Sequence, residues 1–101
     1  MKLNEVLKAL SHPIRRDIIA RLRDGPMTAG DLAALYDVSK PTMSAHFAAM
    51  KEAGLVRAER QGVVIRYHLN ATVAEETLAV LMGVLGAAGE RASSTPKGAA
   101  S

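Results

Sequence analysis

Within the segment SKPTMSAH, Ser39, Lys40, Thr42, Ser44 and His46 supply hydrogen-bonding hydroxyls, a cation and an imidazole. Groups of these types serve catalysis when an imidazole and a carboxylate activate a hydroxyl. They serve recognition when short donors and acceptors meet the edges of nucleic-acid bases. The catalytic chemistry lacks its other parts. There is no cysteine, no acid stands at helical spacing from His46, and no glycine-rich phosphate loop or carboxylate pair occurs, so the chain reads as a non-enzyme. His12, His46 and His68 fall on three different expected elements and make no shared ligand set, so neither a metal nor a cofactor is expected.

Recognition requires an element that holds one face of this segment and frees the other. Ser39 is an expected N-cap, Pro41 fits a first turn, and Met43, Phe47 and Met50 stand at i, i+4 and i+7 as an inward stripe ending at Gly54. Lys40, Thr42, Ser44, Ala45 and His46 are then left on the free face. Taken alone, capping by Ser39 and Thr42 with the rest merely solvated explains the segment equally well. The next stretch favours recognition: Leu55 to Gln61 and Val63 to Leu69 flank Gly62 as a hairpin carrying Arg57, Arg60 and Arg66. Between residues 39 and 66 five Lys/Arg face two Glu, a surplus equal to the +3 of the whole chain. A basic ribbon beside a helix with a polar face suits a polyanion.

The remaining chain supplies supports. Leu3, Val6, Leu7 and Leu10 recur at helical steps; Ser11 is expected to cap a second helix with Pro13 in its first turn and Ile14, Ile18, Ile19 and Leu22 inward. Thr28 and Asp31 open a short helix to Tyr36, which with the following segment forms a helix-turn-helix. Thr72 with Glu75 reads as a capping box before Val73, Leu78, Leu81, Met82 and Leu85. With 49% hydrophobic but only 3% aromatic residues in 101, the core is expected to be aliphatic and largely helical. Residues 1–88 are assigned to one domain and 89–101 to a disordered tail. MKLNEVLKAL has no signal-peptide core, and the uncharged run Thr77 to Gly89 is too short to span a bilayer, so a cytoplasmic protein without membrane contact is expected.

The segments ALSHPIRRDIIARLRDG, MTAGDLAALYDVSKPTMSAHFAAMKEAGLV and RAERQGVVIRYHL resemble the ArsR/SmtB family of winged-helix repressors, in particular its small, metal-independent autorepressor branch. The similarity runs from Leu3 to Leu85. It implies a mainly α winged helix-turn-helix with a small β-hairpin, in the order α-α-α-α-β-β-α. It also implies a homodimer through the first and last helices, bound to double-stranded DNA at an inverted repeat near a promoter. Leu3, Leu7, Leu78, Leu81, Met82 and Leu85 are the expected interface. Lys40, Thr42, Ser44 and His46 are expected at bases, with Ser39, Arg57, Arg60 and Arg66 mainly at the backbone. The stretch TAGDLAAL lacks the cysteine pair of metal-sensing members, and Val73 to Ala87 offers only the adjacent Glu75 and Glu76, so metal sensing is not expected. An unidentified small-molecule or protein effector stays open. The alternative is a winged-helix interaction module that has lost DNA binding; the retained cations count against it.

Overall fold

The computed structural model describes the backbone of residues 1–93 and the side chains of residues 1–86. Its elements are α1 (Leu3–Ala9), α2 (Pro13–Leu22), β1 (Met27–Thr28), α3 (Ala29–Ala33), α4 (Lys40–Glu52), β2 (Val56–Gln61), β3 (Val64–Leu69) and α5 (Ala71–Ser93). Val6 of α1, Ile18 of α2, Leu32 of α3, Met50 of α4 and Leu55 just before β2 are the largest fully buried side chains. Each comes from a different segment, so one core ties the helices to the sheet.

The three strands lie in the order β1-β3-β2, all antiparallel. The hairpin follows the expected form, with Gly62 at its tip in the left-handed region, φ 63°. Strand β1 goes beyond the sequence expectation. Its two residues are too few to show alternation, yet Met27 and Thr28 pair with Tyr67 and Arg66 and place the start of α3 against the central strand.

Helix starts differ from expectation at two places. His12, not Ser11, caps α2: its Nδ1 accepts from the Ile14 amide at 3.2 Å, while Ser11 Oγ donates to the Lys8 carbonyl at 2.6 Å. Ser11 thereby satisfies an open carbonyl at the end of α1, and the cap passes to its neighbour. Likewise Asn70 Oδ1 accepts from the Val73 amide at 3.3 Å, so α5 begins at Ala71 and Thr72 lies inside it. Asn is as good a cap as Thr and is the first such residue after β3. Thr28 does cap α3, accepting from the Asp31 amide at 3.1 Å, but that helix ends at Ala33 and passes into i→i+3 turns at Leu35 and Tyr36.

The end of that turn is tied back to α2. The Tyr36 hydroxyl and Arg21 Nε both donate to Asp17 Oδ2, the latter at 2.9 Å. These bonds, Tyr36 first and then Arg21, hold the Asp17 carboxyl below its ordinary value of 3.8. A carboxyl with a depressed folded pKa adds stability above its unfolded value, and that stability is lost as pH falls through the folded one. Tyr36→Phe keeps the ring and removes the larger cause. Its thermal stability should therefore fall less than the wild type's between pH 5 and pH 2; parallel melting curves across that range would contradict the assignment.

Helix α5 touches the core through Val73 and through Thr77, whose Oγ1 donates to the Val73 carbonyl at 2.7 Å and approaches Met1 Sδ at 3.1 Å. Beyond that point its apolar side chains are mostly uncovered. The helix continues to Ser93, past the boundary expected at residue 88, because Ala87, Ala88, Glu90, Arg91 and Ala92 are good helix formers. The rest of the expected tail, 94–101, lies outside the described residues. Among the described residues no helix is long and apolar enough to cross a membrane.

Candidate nucleic-acid interface

Helix α4 is held from behind by Met43, His46, Phe47 and Met50, all buried. Phe47 stacks on Tyr67 of β3 with ring centroids 4.6 Å apart and planes 19° from parallel, which fixes the helix against the sheet. At its start Ser39 Oγ accepts from the Thr42 amide at 3.2 Å and donates to Thr42 Oγ1 at 2.9 Å. The cap thus uses one lone pair and the hydroxyl proton of Ser39, and leaves the Thr42 hydroxyl proton free for an outside acceptor. Lys40, Thr42, Ser44 and Ala45 are exposed on the outer side.

His46 does not belong to that surface. It is 6% exposed, its ring centroid is 4.4 Å from that of His12 at a 55° tilt, and neither ring nitrogen bonds to a protein group. Burial, followed by the charges of His12 and Arg15, holds its pKa below the ordinary imidazole value. The reason is positional: residue 46 is three past Met43 and four before Met50, which is the inward stripe. That spacing is present in the sequence, but the polarity of the side chain argues the other way. The same spacing rule finds two surface residues that the sequence reading passes over. Ala48 and Lys51, at i+4 and i+7 from Ser44, are exposed and line with it a groove bounded by Ile65 and Tyr67.

The pairing of β2 with β3 divides the wing arginines. Arg57 lies opposite His68 and Glu59 opposite Arg66, on one face; Arg60 lies opposite Ile65, on the face that carries Tyr67 and receives α4. On the first face Glu59 Oε1 bonds His68 Nε2 at 2.9 Å, and that bond, with lesser help from Arg57 and Arg66, lowers the Glu59 pKa. A carboxylate therefore offsets part of the charge there. Arg66 is half-buried between Thr28 of β1 and Glu59 of β2, and Arg57 lines a recess with Leu22, Arg23 and Ala71. Arg60 is exposed toward the side of α4, close to the tip where Val63 is 95% exposed.

The expected interface residues lie on α5 and α1. Leu78, Met82 and Leu85 are 60%, 60% and 62% exposed at i, i+4 and i+7 along α5, beside the half-buried Leu81. Leu7 is 41% exposed and Leu3 half-buried on α1, whose start reaches α5 through the Met1–Thr77 contact. Among the described residues no group of three His, Asp or Glu side chains converges as a metal site.

A helix-turn-helix domain model matches residues 10–59, which takes in α2 through α4 and the start of the wing. The transcriptional repressor SdpR of Bacillus subtilis is 42% identical over 76 residues, covering 75% of this chain and 84% of that protein. A solved ArsR family transcriptional regulator superposes with a TM-score of 0.79 at 28% identity over 93% of both chains. The transcriptional repressor BigR of Xylella fastidiosa superposes with 0.63 at 30% identity, over 82% of this chain and 85% of that one. Sequence likeness across the helix-turn-helix and superposition through helices and wing lead to one conclusion: the chain belongs to the ArsR/SmtB family of winged helix-turn-helix transcriptional repressors.

Proposed function

We propose that the protein acts in the cytoplasm as a homodimeric, metal-independent repressor that places the start of α4 in the major groove of an inverted repeat. The observation that carries this reading is the division of α4 itself: Phe47 is stacked on the sheet while Lys40, Thr42 and Ser44 stand exposed on its first turns. Recognition helices present their N-terminal residues to base edges, where small hydroxyls and one flexible cation fit. Ser39 and the start of the helix meet a phosphate, and Arg60 reaches the backbone beside the groove. Arg57 and Arg66, on the far face of the wing, add to the field and make no direct contact. Leu3, Leu7, Leu78, Leu81, Met82 and Leu85 meet their copies across the two-fold axis.

A mobility-shift assay with the promoter region of the protein's own gene tests this reading. A retarded complex that survives excess unrelated duplex is expected. Zinc or arsenite at stoichiometric levels should not dissolve it, because no ligand set converges among the described residues. A protein that binds no duplex better than another would instead fit the interaction-module alternative.

A further inference from the structure

The His12–His46 pair lies behind the surface just described, and neither the capping of α2 nor the packing of α4 requires the second imidazole to be titratable. His46 sits on α4 with both ring nitrogens buried and without a protein partner. The groups that face it carry no compensating negative charge. From the N-cap of α2 comes His12 and from the helix itself Arg15, whose Nε is also buried and unpartnered. Glu5 and Lys8 of α1 and Glu52 of α4 line a small cavity beside Arg15, but none of them bonds to the His46 ring. A proton on His46 would thus create a buried cation against a second imidazole and a guanidinium.

We propose that His46 is a positioning residue that holds α4 in its DNA-reading orientation only while neutral, so that acidification weakens binding to the specific site. This role rests on the DNA-binding reading above. A charged His46 must leave its contact with His12 to reach water, and the turn that carries it also carries Thr42 and Ser44. His12 is itself held in place, since its Nδ1 accepts the Ile14 amide and caps α2. The sign is distinctive. Imidazoles that gain charge near phosphates normally tighten DNA binding as pH falls.

Linkage makes the effect measurable. If the neutral form binds better, the His46 pKa must be lower in the complex than in the free protein. A difference of about one unit corresponds to about tenfold in affinity per subunit at pH values below both. Fluorescence anisotropy with a labelled duplex from the protein's own promoter region, and with a scrambled duplex, would be measured from pH 7.5 to pH 5.5 at fixed salt. For the wild type the promoter duplex is expected to weaken progressively as pH falls, by less than that limiting factor while pH stays above the bound pKa, and the scrambled one holds or tightens. His46→Leu should remove the loss. Proton NMR of the histidine rings in the wild type, free and bound, gives the same answer without a variant, should His46→Leu fail to fold. Equal acid loss in His46→Leu, wild-type binding that is flat or tighter in acid, or a His46 pKa no lower in the complex would each overturn the proposal. Absence of any specific complex at pH 7.5 would overturn the DNA-binding reading with it.

Discussion

Leu78→Glu is expected to leave the protomer folded, shift the sedimenting species at micromolar concentration to the 10.7 kDa chain, and lower affinity for the specific duplex by about 10²- to 10⁴-fold. Leu78 is 60% exposed, so a carboxylate there disturbs nothing within one protomer. Across the proposed two-fold axis the same change sets two carboxylates into an apolar seam with Met82 and Leu85, where their desolvation has no compensation. The loss of DNA affinity follows because two half-sites are held at once only by a linked pair of reading heads. The neighbouring Thr77, 5% exposed, marks the contrast, since a glutamate there would strike the fold itself. A Leu78→Glu protein that remains a dimer would move the interface elsewhere.

Thr42→Ala and Arg60→Ala should fail in different ways. Loss of a good base contact at Thr42 should cost about 1–3 kcal/mol on the preferred duplex and much less on a scrambled one. The cap survives the change, because Ser39 Oγ still accepts the residue-42 amide. Arg60→Ala should weaken both duplexes alike and make the slope of log affinity against log salt shallower by about one unit per lost contact. Arg66→Ala should do little of either, since that side chain is half-buried beside Thr28 and Glu59 on the opposite face of the wing. Anisotropy titrations at several salt concentrations give both quantities. Equal loss on the two duplexes for Thr42→Ala, with relaxed specificity for Arg60→Ala, would make the wing the reader.

The helix-turn-helix and the wing are legible in the sequence because their signals are local. Ser39, Pro41, the stripe of Met43, Phe47 and Met50, and the stop at Gly54 all concern one helix, and Gly62 marks the one tight turn between two strand-like runs. The caps at His12 and Asn70 are not, since adjacent polar residues compete for the role and the end of the preceding element decides between them. Strand β1 depends on pairing with a segment far along the chain, which a two-residue pattern cannot announce. The misplacement of His46 is of another kind. His46 stands at core spacing, and there the chemical type of the side chain outweighs its periodicity in a reading of the sequence. The two faces of the wing also follow from position numbers, since Arg57 and Arg60 are three apart in a strand.

Selection of bound sequences from a random duplex pool tests the central claim most directly, because it assumes nothing about the operator. A dimer that reads DNA with two copies of α4 should enrich an inverted repeat whose half-site centres lie about one helical turn, roughly 34–36 Å, apart or a multiple of it. Enrichment should vanish with Leu78→Glu and should change at defined base positions with Thr42→Ala. Recovery of no preferred sequence, or of a single unrepeated half-site bound equally well by Leu78→Glu, would contradict the account.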